Sequence, residues 1–383
     1  IINDYLTFIV LLFGLFCVSG NITLSGDLAG SPRINVGLLA LGTLLSSWIG
    51  TTGAAMLLIR PLIRANAWRE KKVHVIVFFI FLVANMGGCL TPLGDPPLFM
   101  GFQRGVPFTW TFHLLPILLL NLVLVFGIFI FIDRKFYKKE IAAGRSPQNM
   151  IGNDTKEPIR IEGAHNLIFI AMIILGVVAS GVLPQMFDFF ADGAGIHVYD
   201  AVVFPYAVIV EIVLILLACF LSLKTTKKST RELNEFSYAP IEEVAKLFIG
   251  IFITMIPALA LLKVHGGQLG LDQPWQMFWC TGLLSSFLDN TPTYLVFLQT
   301  AGALGQAGIE TTVGSVSQLM LEAISAGAVF MGANTYIGNA PNFMVKSISD
   351  ENGVRMPSFF GYLLWSIVFL VPVFIIDTLV FFL

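Results

Sequence analysis

Two acidic residues stand at breaks in long apolar segments, where a charged side chain is costly. Asp95 lies in the run TPLGDPP (91–97), and Asp289 begins the run DNTPT (289–293). Neither run contains a lysine or an arginine. Burial disfavours an ionised carboxylate, whereas a bound cation or proton compensates its charge. These residue types predict a site where a small cation such as sodium competes with a proton.

Two further breaks carry hydroxyl and carboxamide groups. GTTG (50–53) interrupts the apolar stretch 37–65, and TYIGNAP (335–341) interrupts 318–348. Proline frees backbone carbonyls, and unwound backbone at membrane depth is tolerated only around an enclosed site or a wet cavity. The predicted binding residues, of which Asp95 and Asp289 would be the sodium ligands, are Asp289, Asn290, Thr291, Asp95, Thr91, Thr51, Thr52, Asn334, Thr335 and Asn339.

Several of these residues also have a simpler interpretation. Asp95 precedes two prolines and could cap the helix that begins there, and Asp289 could cap the second arm of its hairpin. Thr51 and Thr52 could merely satisfy backbone groups at a hairpin tip. Among the other intramembrane acids, Glu211 is either functional or paired at a helix contact. The remaining two, Glu322 and Asp377, are expected to face water because they lie near segment ends.

The composition identifies the environment in which these breaks must fold. Of 383 residues, 56% are apolar and 12% charged, with a mean hydropathy of +0.83. Soluble domains are about a quarter charged, so the chain is a polytopic membrane protein. No basic block marks a nucleic-acid surface. The four cysteines form no CxxC pair, which excludes a disulfide framework and a zinc site.

Ten apolar runs divide the chain, and two of them are predicted to re-enter the membrane without crossing it. Each arm of the hairpins 37–65 and 276–300 spans about 18 Å, roughly half of the hydrocarbon core. With both hairpins re-entrant, every basic residue except Arg104 and Lys263 falls on one side, which is then cytoplasmic. The expected location is a bacterial cytoplasmic (inner) membrane, with multiple spans.

Two pairs of segments match each other along the chain. LLSSWIGTTGAAMLL (44–58) matches LLSSFLDNTPTYLVF (283–297), and CLTPLGDPPLFM (89–100) matches ANTYIGNAPNFM (333–344). Five crossings per half would invert one half relative to the other, as in many secondary transporters. The prediction is a first repeat over 1–133, with its broken helix at about 73–104. A cytoplasmic linker at 134–164 precedes a second repeat over 165–383, and two further helices are expected before residue 1.

The motifs at these breaks resemble those of a known superfamily. GGCLTPLGDPP (87–97) resembles the GG-x-x-[ST]-P-x-G-D segment of NhaD-type sodium/proton antiporters and the G-D-P-P segment of arsenite-pump and P-protein relatives. SSFLDNTPT (285–293) resembles their Asp-Asn-x-Pro hairpin. With citrate-transporter-like proteins, these families form the ion transporter superfamily. The resemblance implies an all-α, elevator-type homodimer whose site includes Asp95, Asp289 and Asn290. Neither tip carries the Ser-Asn-Thr of carboxylate symporters.

The function expected from these features is secondary active transport, with sodium/proton antiport at the two carboxylates. The alternative is sodium- or proton-coupled symport of citrate or another organic anion, or export of an oxyanion such as arsenite. The expected partners are small cations, an organic anion in the alternative, the lipid bilayer and a second copy of the chain. No cofactor beyond the transported sodium and proton is expected. No enzymatic activity is expected either, because Leu93-Gly94-Asp95 and Asp200 match intramembrane proteases only in reversed order.

Overall fold

The computed structural model describes residues 2–26, 28–146, 160–191, 194–199, 202–234 and 236–383. The predicted linker at 134–164 lies partly outside these ranges, and Asp200 lies outside them. Within the described residues the chain is mostly helical. Its helices are α1 Ile2–Ser19, α2 Pro32–Ile49, α3 Thr51–Ala65, α4 Val73–Leu82, α5 Pro96–Gln103, α6 Leu115–Ala142, α7 Asn166–Met186, α8 Tyr206–Thr225, α9 Lys228–Leu233, α10 Ala239–His265, α11 Pro274–Phe287, α12 Asn290–Gly302, α13 Gln318–Met331, α14 Ala340–Glu351, α15 Phe359–Phe369 and α16 Val371–Asp377.

Short antiparallel strand pairs connect some of the helices. They are β1 Thr23–Ser25 with β2 Arg160–Glu162, β3 Gly195–Tyr199 with β4 Val202–Pro205, and β5 Ile309–Thr311 with β6 Gly314–Val316. In the first pair Leu24 lies opposite Ile161. These pairs join helix ends, so the predicted all-α architecture stands.

In the part of the chain that the structure describes, six helical segments are long and apolar enough to cross a membrane: Val73–Leu90, Phe108–Ala142, Asn166–Met186, Tyr206–Thr225, Ala239–Leu269 and Phe359–Phe382. This confirms a polytopic membrane protein. Helix α1 is apolar but shorter. The re-entry of the two hairpins stays a prediction, as do the division into two repeats and the elevator mechanism.

The broken helix around Asp95 lies at the centre of the molecule. Within Val73–Leu90, 89% of the residues are buried, against 11% within an apolar 18-residue stretch of Ala239–Leu269. Helix α4 is apolar on every face, which fits a helix enclosed by protein rather than one with a solvated side. The candidate site is therefore built on the most enclosed part of the fold.

Both helix breaks overlap the predicted runs but begin earlier, at residue 83 rather than 91 and at residue 332 rather than 335. Break 1 (residues 83–95) separates α4 from α5 and contains a 3₁₀ turn at Met86–Leu90. Break 2 (residues 332–339) separates α13 from α14 and begins with a 3₁₀ turn at Gly332–Asn334. Each following helix has proline in its first two positions, where no intrahelical N–H donor is required.

The hairpin tips are tighter than predicted. Hairpin 1 (α2 and α3) turns at Gly50 alone, whose φ of 78° lies in the region that favours glycine. Hairpin 2 (α11 and α12) turns at Leu288 and Asp289. The predicted tips of 50–53 and 289–293 were too long, because residues of a first helical turn need no intrahelical N–H partner and Pro292 is tolerated there.

Candidate ion and substrate site

Asp95 joins all four interrupted elements. Its side chain is fully buried and accepts three hydrogen bonds. Thr51 Oγ1 of hairpin 1 and Asn339 Nδ2 of break 2 each lie 3.2 Å from Oδ1, and Asn290 Nδ2 of hairpin 2 lies 2.7 Å from Oδ2. All three donors are neutral. The carboxylate is thus hydrogen-bonded from three separate elements without a cationic side chain among these partners.

The capping interpretations of the two acids have different outcomes. Asp95 occupies the N-cap position of α5, but its side chain makes no capping hydrogen bond and is used instead by the three donors. Asp289 does cap its helix, since its Oδ1 accepts the backbone N–H of Thr291 at 3.0 Å. Asp289 is half-buried and lines a cavity, so capping leaves its other carboxylate oxygen for further contacts.

Thr91 and Thr335 attach the breaks to the hairpins rather than contacting Asp95. The Thr91 hydroxyl donates to the Ser47 carbonyl, and the Thr335 hydroxyl donates to the Ser286 carbonyl. The two contacts involve matching residues of the repeated segments. Each threonine therefore bonds a break to the backbone of the neighbouring hairpin.

The hydroxyl groups of these two serines also bond with backbone carbonyls, one in break 1 and one directly before break 2. Ser47 Oγ donates to the Gly87 carbonyl at 2.5 Å. Ser286 Oγ shares its hydrogen between the Met331 carbonyl, at 3.0 Å, and the Gly282 carbonyl of its own helix, at 2.8 Å. The sequence reasoning noticed these serines only as part of the repeated LLSS tetrapeptide. Hydroxyls at equivalent positions beside a polar break were the available signal for their contacts.

The remaining predicted residues lie near Asp95 without bonding to it. Asn334 donates to Ser286 Oγ at 2.9 Å, and its buried Oδ1 has no partner among the described residues. Thr52 lines the cavity. Thr291 is buried, and its backbone N–H is used by Asp289. The structure thus brings Thr51, Asn290 and Asn339 to Asp95 and places the others around them.

Two buried asparagines were missed by the sequence reasoning. Asn85 Nδ2 donates to Asn342 Oδ1 at 2.7 Å, across 257 residues of sequence. Asn85 Oδ1 lies 3.3 Å from Asn339 Nδ2, so the pair connects to the Asp95 centre. Asn85 interrupts an apolar segment as Asp95 does, and that interruption was the signal available in the sequence.

A cavity of about 930 Å³ adjoins the centre. Thr51, Thr52, Asp289 and Asn339 line its inner end. Its charged lining residues are Asp289, Arg60, Glu242, Glu243, Lys246 and Glu351. The breaks themselves carry no basic residue, but α3 brings Arg60 to the same cavity, which the sequence pattern did not indicate. The charged lining holds more acids than bases and so attracts small cations.

The comparison with protein families identifies the chain. The family model described as "Putative citrate transport" matches residues 1–382. The chain belongs to this citrate-transport family. The predicted resemblance to the citrate-transporter-like branch of the ion transporter superfamily is thereby confirmed, and with it a secondary transporter in the membrane. A search of curated proteins found no match.

Two other intramembrane acids of this citrate-transport family member lie apart from Asp95. Asp377 was expected to face water, but it is fully buried and both its oxygens accept from Asn121 Nδ2, at 2.8 and 2.9 Å. Helix α16 packs on α6, which carries Asn121, so a position near a segment end is still enclosed. Glu211 is buried on α8 beside Ser180 of α7, and its Oε1 has no hydrogen-bond partner among the described residues. Both alternatives for Glu211, a functional acid or a paired one at a helix contact, stay predictions.

A buried ionic cluster anchors hairpin 1 at the end opposite its tip. Asp133 of α6 accepts from Arg69 and lies 2.8 Å from His74 Nε2. Asn35 Nδ2 donates to the same carboxylate at 3.2 Å, and all four side chains are buried. The cluster ties α2, the α3–α4 connection and α4 to α6, at the end of the hairpin away from Asp95.

Proposed function

We propose that this member of the citrate-transport family exchanges sodium for protons at the Asp95 centre. The observation that carries the proposal is the donor set of Asp95: one neutral group from each of the other three interrupted elements. Neutral donors orient a carboxylate but do not cancel its charge, and an uncompensated charge in a membrane interior is costly. Sodium or a proton supplies the missing positive charge. Because either does so, the two compete.

Asp289 is proposed as the second acid of the exchange. It lies on the cavity surface, whereas Asp95 is buried behind the neighbouring break residues. A cation that enters from the cavity therefore meets Asp289 before Asp95. The acidic excess in the cavity lining would raise the local cation concentration and favour this entry.

The cavity is proposed to open to the cytoplasm. Its lining includes Arg60, Lys246 and Glu351, which belong to the side that basic residues predict as cytoplasmic. On the other side α5 packs tightly on α12: a Cβ added at Gly101 would lie 2.3 Å from Tyr294 Oη. Exchange would require the Asp95 centre to reach that side while the cavity closes, by an elevator-like movement of the hairpins and broken helices within a homodimer.

The second candidate is symport of citrate or another organic anion with sodium or protons. The cavity favours it, because about 930 Å³ far exceeds the volume of a bare ion and the lining includes Arg60 and Lys246. The description of the family also favours it. In this case the carboxylates hold the coupling cation and the anion occupies the cavity. Export of an oxyanion would use the same arrangement.

The test is transport by purified protein in lipid vesicles that contain a pH-sensitive dye. Sodium antiport predicts a proton flux on addition of sodium, a much smaller flux with potassium, and loss of the flux in Asp95→Asn. Glu322→Gln is the control, because Glu322 accepts a hydrogen bond from Gln318 of its own helix in an exposed contact. Labelled citrate uptake that depends on sodium or protons, without sodium-driven proton flux, would replace the first candidate by the second.

A further inference from the structure

Asn339 has more hydrogen-bond acceptors within reach than it has amide hydrogens. Its Nδ2 lies 3.2 Å from Asp95 Oδ1, 3.2 Å from the Ala84 carbonyl and 3.3 Å from Asn85 Oδ1. An amide nitrogen carries two hydrogens. Asn339 therefore distributes two donors among three acceptors, one of which belongs to the proposed cation site.

The side-chain amides of Asn85 and Asn342 each have two acceptors for their two hydrogens. Asn85 Nδ2 donates to the Ile80 carbonyl at 2.8 Å and to Asn342 Oδ1 at 2.7 Å, which uses both of its hydrogens. Asn342 Nδ2 donates to two carbonyls of break 2, at 2.8 and 2.9 Å. Because both orientations are fixed, Asn85 presents its Oδ1 to Asn339 at a defined position.

We infer that Asn85 and Asn342 are positioning residues for the Asp95 centre, and that Asn339 transmits occupancy of the cation site to break 2. This inference rests on the proposed function, in which Asp95 binds sodium. A hydrogen bond to an ionised carboxylate is about twice as strong as one to a neutral acceptor, so Asp95 draws a hydrogen of Asn339 while the cation site is empty. Once a bound cation compensates the charge of Asp95, both hydrogens of Asn339 pair with Ala84 and Asn85.

The position of Asn339 makes this change consequential. It is the N-cap residue of α14, and its side chain makes no capping bond there. Helix α14 packs on α3 and lines the cavity with Met344, Ser347 and Glu351. A change in the bonds of Asn339 thus acts directly on the start of a helix that forms the cavity wall. Occupancy of the cation site is coupled in this way to the element that would move.

The test is the sodium dependence of proton flux in vesicles containing Asn85→Ala, Asn342→Ala or the double variant. Loss of a residue that orients a metal ligand typically costs ten- to a hundredfold in affinity. The expected result is a half-saturating sodium concentration raised about tenfold or more, with a changed pH dependence. The double variant should resemble either single variant, because both act through one chain of bonds.

Asn166→Ala is the matched control. Asn166 is also fully buried and donates to two backbone carbonyls, at 3.1 and 2.9 Å. It is the first residue of α7 and belongs to neither a break nor a hairpin. The Asn166→Ala variant should have a lower thermal stability and an unchanged half-saturating sodium concentration. If Asn85→Ala does not fold, Asn342→Ala carries the same expectation.

The possible failures are distinguishable. A wild type without any sodium-dependent flux overturns the proposed antiport and this inference with it. A wild type with sodium-dependent flux, together with positioning variants that keep the wild-type sodium and pH dependence, overturns the inference alone. An equal shift in Asn166→Ala would also overturn it, because the effect would then follow from lost stability.

Discussion

Asp95 and Asn339 occupy the same position in the two matching segments of the sequence, and in the folded chain they contact each other. Asn339 Nδ2 donates to Asp95 Oδ1 at 3.2 Å, across 244 residues. Thr51 and Asn290, which match each other in the two hairpins, both donate to Asp95. Equivalent positions can meet in this way only where two halves face each other. We therefore propose that the Asp95 centre lies on the axis that relates the repeats.

The two halves differ at this point for an electrostatic reason. If position 339 were also aspartate, two carboxylates would lie about 3 Å apart, and like charges at that distance cannot both be ionised. The asparagine instead turns the contact into a hydrogen bond. The second acid that we propose for the exchange comes from hairpin 2, where Asp289 matches Gly50 of hairpin 1.

Asn339→Asp is predicted to make sodium binding more steeply dependent on pH. The paired carboxylates would share one proton, and they would release it only at higher pH or when sodium binds. The measurement is the half-saturating sodium concentration over a series of pH values. Asn339→Ala is the comparison, because it removes the donor without adding an acid. Equal pH slopes in wild type and Asn339→Asp would contradict the proposed position of the cation.

Asp289→Asn is predicted to abolish exchange while leaving the fold intact. Asparagine caps a helix about as well as aspartate, so α12 keeps its N-cap, whereas Asp289→Ala should lose about 1 kcal/mol more. Thermal unfolding in detergent and sodium-driven proton flux measure the two effects separately. Wild-type flux in the asparagine variant would reduce Asp289 to a capping residue.

Ser47→Ala and Ser286→Ala are predicted to destabilise the protein by similar amounts, about 1–3 kcal/mol each, because each leaves a buried backbone carbonyl without its donor. Ser349→Ala is the control, since Ser349 Oγ donates at 2.7 Å to Val345, within its own helix. Thermal midpoints of the three variants compare the effects. A lower thermal midpoint in only one of the two variants would show that the two breaks are not stabilised in the same way.

Asp133→Asn is predicted to cost about 3–5 kcal/mol of stability, because it leaves the buried Arg69 without its ionic partner. Glu232→Gln breaks an exposed ion pair with Lys228 and should cost at most about 1 kcal/mol. Thermal unfolding of the two purified variants measures both losses of stability. A small effect at Asp133 would show that the cluster is not what anchors hairpin 1 to α6.

The fold was predictable where its causes are local. Every predicted apolar run contains a helix in the structure, and both helix breaks overlap the predicted runs, although they begin earlier, at residues 83 and 332. The hairpin tips were predicted too long, since Thr51, Thr52 and Asn290 already belong to first helical turns. A polar residue in a tip motif does not by itself reveal whether its backbone is helical, because N-terminal helical positions tolerate the same residue types.

The candidate site was predictable as a set of polar residues but not as a set of contacts. Asp95 was identified because an acid between prolines in an apolar segment requires compensation. Its partners include Asn290, which is 195 residues away, and Asn85 reaches Asn342 across 257 residues. No local pattern encodes which of several buried amides will face a given carboxylate.

The sequence by itself determined the membrane environment, the helical segments and the positions of the breaks, because hydropathy, proline and glycine act on neighbouring residues. Only the tertiary structure decided that Asp95 is held by three neutral donors from three separate elements, that Arg60 lines the adjoining cavity, and that Asp133 pairs with Arg69 and His74. These contacts depend on how helices far apart in the chain pack together. Packing is fixed by the fit of whole surfaces rather than by any single motif.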